Sequence, residues 1–220
     1  MKLTLHNYWR SSASYRVRIG LGCKQLAYDY VAIDLLHAGQ HAPAYRAKNP
    51  MAQVPTLAID DGVRTLYLTQ SLPMLEYVDE RWPELPLLPR GTAPAALELR
   101  HHVRALSEMV NSGMQPLQNL STTQALSELG VEVKPWVQRF LSAGLAGLEL
   151  AVADHMGGFA VGDAPSLADC FLVPQLYAAR RFGVVLDGFP RLRAIEAACL
   201  ALPAFAAAHP DRQPDAVPSA

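Results

Sequence analysis

Residues 2–19 read KLTLHNYWRSSASYRVRI, and the periodicity of the apolar residues changes halfway along this stretch. Over 2–8, apolar and polar residues alternate as in a half-buried strand, whereas from Ser12 to about Lys24 apolar residues recur at helical spacing without a proline. Serines therefore stand where a strand passes into a helix. A helix N-terminus presents unpaired N–H groups and a partial positive charge, so Ser11 or Ser12 either only caps the helix or also helps to bind an anion.

The composition restricts the class of protein. Half of the 220 residues are apolar, the formal net charge is −1, and the 19 basic residues are dispersed, unlike the concentrated positive charge of a nucleic-acid-binding protein. We expect Arg16 and Arg18 to form ion pairs on the surface of the first helix. No uncharged run approaches the roughly 18 residues that cross a bilayer, and a signal-peptide pattern is missing. We therefore predict a cytoplasmic globular protein with no nucleic-acid or membrane partner.

The cysteines and histidines lack the spacing of metal ligands. Cys23, Cys170 and Cys199 are far apart in the sequence and include no Cys-x-x-Cys pair, and the seven histidines include no His-Glu-x-x-His motif. We predict three reduced core thiols and no metal site.

The N-terminal third of the chain alternates predicted strands with helices. A second strand is predicted over 28–34, and the runs 53–60 and 63–68 are predicted to form a hairpin, because the Asp61-Gly62 pair between them favours a tight turn. Together with the first strand and helix, this gives the order βαβ-ββ.

Two residues of this region have special backbone roles. Pro55 opens the third strand directly after a loop, so its peptide bond is either cis or an ordinary trans bond at the start of an edge strand. Ser71 is expected to cap a further helix that ends at Pro83. The complete order of the first domain is then βαβ-ββα.

A proline-rich connector divides the chain. The stretch 83–94 contains four prolines and no periodicity, so we predict a linker at 84–94 between an α/β domain at 1–83 and an all-helical domain at 95–220. Its helices are predicted at about 95–118, 134–155, 166–183 and 191–208. The third of them opens with a serine three residues ahead of an aspartate, as in a capping box.

The chain resembles the zeta class of glutathione transferases over nearly its whole length. The stretches that carry the resemblance are, in order, RSSASYRVRI, NPMAQVPTL, QSLPMLEYVDE, MQPLQNLS, VGDAPSLADCFLVPQ, RRFGVVL and HPDRQPD. This class includes maleylacetoacetate and maleylpyruvate isomerases. The resemblance implies a thioredoxin-like N-terminal domain followed by a helical C-terminal domain, and a homodimer that acts in aromatic amino-acid catabolism.

The resemblance also implies glutathione as the cofactor. Ser11 stands at the position of the catalytic serine, where its hydroxyl would donate to the glutathione sulfur, and Ser12 would assist or act only as a cap. The γ-glutamyl end would bind at the second helix N-terminus, with its carboxylate at Ser71 and its amino group beside Gln70. The backbone of Val54, held by Pro55, is expected to contact the cysteinyl amide. Gln40 and Gln53 either contact the glycine end or are solvated surface residues.

A small dicarboxylate maleyl compound is the implied substrate. Arg10 and Arg181 match family positions that face the substrate, where paired planar donors suit its carboxylates and the negative charge that develops during the reaction. Gln115 and Asn119 are expected to line the mouth of the site or to lie on a helix surface.

Ala13 departs from the zeta pattern, which has a cysteine at this position. Loss of that thiol puts chemistry that needs a second sulfur, such as reductive dehalogenation, in doubt. Isomerisation needs one sulfur only.

The activity that the resemblance implies is the conversion of 4-maleylacetoacetate to 4-fumarylacetoacetate by thiolate addition, bond rotation and elimination. The alternatives are a maleylpyruvate isomerase, a glutathione transferase that acts on halogenated acids, and a non-catalytic glutathione-fold module. Leu120 stands where some maleylpyruvate-type relatives have another arginine, which favours the first activity. A non-catalytic module would not need several polar groups directed at one pocket.

Overall fold

Four strands form one mixed sheet in the computed structural model, which describes residues 1–217. They are β1 (Lys2–Asn7), β2 (Asp29–Ala32), β3 (Thr56–Asp60) and β4 (Thr65–Thr69). In the order β2-β1-β3-β4, β1 is parallel to β2 and antiparallel to β3, and β3 is antiparallel to β4. The four strands predicted along the chain are confirmed. The loop of the hairpin spans residues 61–64 and includes Gly62 at a φ of 89°, a conformation that glycine adopts without a steric penalty.

Helices α1 (Ser12–Cys23), α2 (Pro43–Arg46) and α3 (Ser71–Arg81) accompany the sheet. The short α2 lies between β2 and β3, where the predicted order βαβ-ββα has no helix. A Cβ added at Gly20 of α1 would lie 2.3 Å from the side chain of Leu75, so the missing side chain lets α1 and α3 pack closely. Apart from α2, the α/β order of the first domain is as predicted.

The second unit of the structure, Pro86–Leu202, is helical. Its helices are α4 (Pro94–Asn111), α5 (Leu120–Glu128), α6 (Val133–Ala151), α7 (Leu167–Arg181) and α8 (Pro190–Leu200). The helix predicted over 95–118 ends at Asn111, because Gly113 and Pro116 follow, and 115–118 form a 3-10 turn instead. Helix α5 was not predicted.

The last described residues of the chain belong to a different unit from the one predicted for them. The helix expected over 191–208 is broken before Pro203, as is usual for the residue ahead of a proline, and a separate helix α9 (Pro203–Ala208) follows. The first unit consists of Met1–Leu85 and the residues from Pro203 onward, whereas 95–220 had been assigned together to the helical domain. Helix α9 packs on α1, where a Cβ at Gly22 would lie 3.2 Å from the Cβ of Ala204.

The capping box at the start of α7 is confirmed. The Asp169 carboxylate accepts hydrogen bonds from the backbone N–H and the hydroxyl of Ser166 at 2.7 and 2.8 Å, and from the N–H of Ala160 at 2.8 Å. Asp169 is fully buried, and burial raises its pKa while these donors oppose the rise. Of the cysteines, Cys170 and Cys199 are buried and Cys23 is half-buried, each as a thiol.

No helix within residues 1–217 combines the length and the apolar character needed to cross a bilayer.

Candidate active site

Most segments with predicted glutathione contacts lie at one edge of the sheet. Thr56, the first residue of β3, pairs with His6 on one side and with Thr69 on the other. Because both pairings are antiparallel, the carboxyl ends of β1 and β4 lie on either side of the amino end of β3. The segments that follow or precede these strand ends therefore meet at one edge: residues 9–12, 53–55 and 70–71.

Ser11 is the N-cap residue of α1. The Ser11 hydroxyl oxygen accepts a hydrogen bond from the N–H of Ser14 at 3.2 Å, so the predicted cap is confirmed. The backbone N–H of Ser11 donates to the carbonyl of Tyr8 at 3.1 Å. A hydroxyl that accepts one bond keeps its hydrogen for a further acceptor. Ser11 and Ser12 are half-buried, and the first turn of α1 has no acidic residue. A donor and the positive end of a helix thus coincide here.

A second helix N-terminus, that of α3, lies beside the carboxyl end of β4. Gln70 occupies the cap position and Ser71 is the first helical residue, so the expectation that Ser71 is the cap is corrected by one position. Gln70 has a φ of 65° and a ψ of 115°, a backbone conformation that costs a non-glycine residue about 1–3 kcal/mol and that concentrates at functional sites. The first turn of α3 also lacks an acidic residue.

Arg16 links the two helices. Its guanidinium donates from Nη1 to the hydroxyl oxygen of Ser71 at 3.1 Å, and both side chains are buried. The prediction that Arg16 and Arg18 form ion pairs on the helix surface is therefore wrong: each is 1% exposed. Helix α1 packs against both α3 and α9, and the sequence of α1 alone does not reveal that second partner. Arg16 places a buried cation next to the N-terminus of α3.

The segment before β3 has a cis peptide bond between Val54 and Pro55, the first of the two predicted alternatives. The carbonyl of Gln53, directly before it, accepts from the Tyr45 hydroxyl at 2.6 Å and from the Asn49 side-chain amide at 2.7 Å. Burial raises the pKa of Tyr45, so the phenol keeps the proton that it donates. Sequence reasoning missed both residues, although the Asn-Pro pair that starts NPMAQVPTL was a usable signal.

Gln40 lies in a 3-10 turn after β2 and is 9% exposed. Its Oε1 atom has no hydrogen-bond partner among residues 1–217. A buried amide with an unmatched group is costly unless a ligand or water satisfies it. The contact of Gln40 with the glycine end of glutathione stays a prediction.

Arg10 stands next to Ser11 in the first unit. It is half-buried, and its guanidinium lies 5.2 Å from the centre of the Trp9 ring, a geometry that holds an arginine without neutralising its charge.

The other predicted substrate contacts belong to the second unit. Gln115 opens the 3-10 turn, and Asn119 caps α5 by accepting from the N–H of Leu120 at 2.8 Å. Arg181 is the exposed last residue of α7, with its guanidinium 5.0 Å from the centre of the Phe182 ring. The neighbouring Arg180 instead forms a bidentate pair with Glu196 of α8, so the two arginines of ARRFG have different partners.

No cluster of three or more histidine, cysteine, aspartate or glutamate side chains within the described 217 residues could hold a metal ion.

A thioredoxin-like sheet unit with a helical unit is the architecture of a glutathione transferase. The family description "Glutathione S-transferase, N-terminal domain" matches residues 5–86, and "Glutathione S-transferase, C-terminal domain" matches residues 134–197. The maleylacetoacetate isomerase of Pseudomonas aeruginosa is 41% identical over 218 residues, which are 97% of this chain and 98% of that protein. The chain belongs to the glutathione S-transferase family, in its zeta class.

Solved structures agree with this assignment. Maleylacetoacetate isomerase from Anaeromyxobacter dehalogenans 2CP-1, with bound glutathione in its active site, has a TM-score of 0.90 and 52% identity, and 98% of each chain is covered. Another structure of that enzyme holds dicarboxyethyl glutathione and citrate in the active site. A maleylpyruvate isomerase, described as a bacterial zeta-class glutathione transferase, has a TM-score of 0.88 and 38% identity, with 97% of this chain and 100% of that chain covered.

Proposed function

We propose that the protein is a glutathione-dependent cis–trans isomerase that converts 4-maleylacetoacetate to 4-fumarylacetoacetate. The observation that carries the proposal is the meeting, at one edge of the sheet, of two helix N-termini without first-turn acids, one of which begins at a serine with a hydrogen to donate. When bound, glutathione supplies a thiolate that adds to the alkene and later leaves, so that the former double bond rotates in between.

Ser11 is assigned the task of keeping that sulfur ionised. A thiol has an unperturbed pKa well above neutrality, and a hydrogen bond to the thiolate together with a helix N-terminus favours the anion. The Ser11 hydroxyl oxygen already accepts from Ser14, which fixes its orientation and leaves its hydrogen for the sulfur. Ser12, the first residue of α1, assists from the same turn.

The remaining tripeptide is assigned to the neighbouring segments. Its γ-glutamyl carboxylate takes the N-terminus of α3, where the buried Arg16 adds positive charge through Ser71. Gln70 takes the amino group. The other assigned contacts are those of the sequence analysis: Val54 with Pro55, and Gln40 and Gln53.

Arg10 and Arg181 are assigned to the substrate carboxylates and to the negative charge that develops on the substrate oxygen, with Gln115 and Asn119 as further contacts. The dicarboxyethyl glutathione and citrate held by the related Anaeromyxobacter enzyme are polycarboxylates, which supports a substrate of this charge. An arginine supplies paired donors for each such group.

Maleylpyruvate isomerisation is the second candidate, because the zeta-class maleylpyruvate isomerase shares the fold at 38% identity. It requires the same thiolate and the same arginines. The higher identity of 52% with a maleylacetoacetate isomerase favours the first candidate.

We also propose that the protein acts as a homodimer in the cytoplasm. The family resemblance supports the dimer. Three cysteines held as thiols and a requirement for reduced glutathione suit a reducing compartment.

The test follows the isomerisation of maleylacetoacetate and of maleylacetone by NMR, with glutathione or with S-methylglutathione. The thioether keeps the anchoring groups of the tripeptide and has no ionisable thiol, so we expect turnover with glutathione only. Arg10→Met should reduce kcat/KM by about tenfold to a hundredfold on the dicarboxylate, and less on maleylacetone, which has one carboxylate.

Arg10→Lys should recover part of the loss, because a point charge replaces only some of the paired donors. Turnover with S-methylglutathione, or no turnover with either tripeptide, would refute the proposed function. Equal losses on both substrates together with a lower Tm would show that Arg10 is structural.

A further inference from the structure

The C-terminal segment after α9 folds back onto the turn that precedes Ser11. The Asp215 carboxylate accepts a hydrogen bond from the backbone N–H of Trp9 at 3.1 Å, and a second one from the Tyr30 hydroxyl. Burial and this hydrogen bond raise the pKa of Tyr30, so its phenol keeps the proton that it donates. Asp215 thus ties β2 and the β1–α1 turn together from more than 180 residues away in the sequence.

Arg18 holds the same turn from the other side. Its guanidinium donates to the carbonyls of Trp9 at 2.9 Å and of Tyr8 at 3.4 Å, to the side-chain oxygen of Asn7 at 2.9 Å, and to the carbonyl of Ala208 at the end of α9 at 3.1 Å. Trp9 is therefore held at its N–H by Asp215 and at its carbonyl by Arg18, two residues before Ser11. Only Arg10 stands between the held Trp9 and Ser11, so few backbone torsions separate the held peptide groups from the Ser11 hydroxyl.

Arg18 and Asp215, the two residues that hold this turn, carry opposite charges. Arg18 is a buried cation whose contacts are neutral oxygens, and a buried cation is costly without a counter-charge. Burial lowers the pKa of Arg18, and four neighbouring groups oppose this, Tyr30 most and Asp215 least. The C-terminal segment thus acts on the turn chiefly through the hydrogen bond from Trp9 to Asp215.

The segment itself is fixed. The side-chain amide of Gln213 donates to the carbonyls of Ala207 and His209 at 2.9 and 2.8 Å, and α9 packs closely on α1 at Gly22. Asp215 is therefore presented to Trp9 by an ordered support.

We propose that Asp215 and Arg18 are positioning residues that set where the Ser11 hydroxyl stands, so that the C-terminal segment is a working part of the thiolate site. This inference rests on the proposed function. A displacement of about 1 Å at a reacting group can cost roughly a hundredfold in rate, so a residue that fixes the Ser11 turn has a measurable effect although it touches neither substrate nor cofactor.

The test compares Asp215→Asn with Asp211→Asn, a matched change in the same segment at a carboxylate that lies near His209 instead of Trp9. In the protein without ligand, amide hydrogens of residues 9–11 should exchange faster in Asp215→Asn and not in Asp211→Asn. With glutathione, the midpoint of the bound thiol titration should rise in Asp215→Asn by up to about one pH unit, and kcat should fall by up to about tenfold. KM for glutathione should change little, because the tripeptide is anchored at other segments.

Tyr30→Phe removes the other partner of Asp215 and keeps the acceptor for Trp9. Tyr30→Phe should shift the titration midpoint in the same direction and by less. If Asp215→Asn does not fold, the shift in Tyr30→Phe tests whether Asp215 has the proposed positioning role. Unchanged midpoints in both variants, or equal shifts in Asp211→Asn, would overturn the inference while the wild-type protein still isomerises its substrate. A wild-type protein that does not lower the pKa of bound glutathione would instead refute the proposed function.

Discussion

Helices α1 and α7 are both capped by a serine, and they differ in whether an acidic residue follows in the first turn. Each starts at a serine, Ser11 or Ser166, in an extended conformation. In α7 the Asp169 carboxylate accepts hydrogen bonds from the backbone N–H and the hydroxyl of Ser166, so an acidic residue of the protein stands at the helix start. In α1 the residue three positions after the serine is Ser14, and no acid stands in the first turn.

On the proposed function, this difference separates a helix start with a structural role from one that binds glutathione. A helix N-terminus carries a partial positive charge, and in α7 a buried side chain of the protein satisfies it. In α1 no acidic residue of the first turn offsets this charge, and on the proposed function it stabilises the glutathione thiolate next to the half-buried Ser11 hydroxyl. A serine at a helix start is thus informative about function only together with what stands three residues later.

The largest expected effect is on stability, at α7. Asp169→Ala leaves three donors of Ser166 and Ala160 without their acceptor in a buried environment. We expect the free energy of unfolding to fall by about 4 kcal/mol, as measured by urea denaturation. In the protein that remains folded, the thiol titration of bound glutathione should be unchanged. A shifted titration would mean that the two helix starts are not functionally separate.

The second prediction concerns α1 and contrasts two matched substitutions. Ser11→Ala and Ser166→Ala should each lower the free energy of unfolding by about 1 kcal/mol, the usual value of a serine cap. Only Ser11→Ala should reduce kcat/KM, by about a hundredfold, because Ser11 is the proposed donor to the glutathione thiolate, whereas the Ser166 hydroxyl donates to the structural carboxylate of Asp169. The midpoint of the bound thiol titration should rise in parallel.

If Ser11→Ala retains both the turnover and the titration midpoint of the wild-type protein, Ser11 is a cap in the same sense as Ser166. The comparison between the two helix starts would then fail for function and hold for stability only.

The smallest expected effect is at Ala13, in the first turn of α1. Ala13→Cys restores the thiol that the zeta pattern has at this half-buried position. No step of addition, rotation and elimination uses a second protein sulfur, so we expect turnover on maleylacetoacetate to change by no more than about twofold. A wild-type protein that is nearly inactive and an Ala13→Cys variant with a large gain would show that the site at α1 needs the thiol as well as Ser11.

Local patterns predicted most of the first unit and the start of α7 in the second. The alternation over β1, the helical spacing of α1 and the capping pattern of Ser166 with Asp169 involve residues within a few positions of each other, so the sequence already contains the interaction that defines each element. The family followed from the resemblance of several stretches to the zeta class. The N-cap of α3 is Gln70, one position before the expected Ser71, because the boundary of α3 depends on a backbone conformation that local patterns do not show.

Long-range contacts were not predictable in this way. Arg16 and Arg18 are charged residues on a helix, and a helix pattern by itself assigns such residues to the surface. They are buried because α3 and α9 pack on α1 and supply the oxygen atoms that replace water. The return of the chain to the first unit after Pro203 could not be read from the helical periodicity either.

The sequence by itself thus determined the strands and helices that carry Ser11, Pro55 and Ser71, and through its resemblance the class of cofactor. Only the tertiary structure decided that Trp9 is held between Arg18 and Asp215, which are 197 positions apart in the printed numbering. The physical reason is that caps and periodicities are satisfied within a turn or two of chain, whereas a buried guanidinium or carboxylate takes whichever partner the packing of distant elements brings to it.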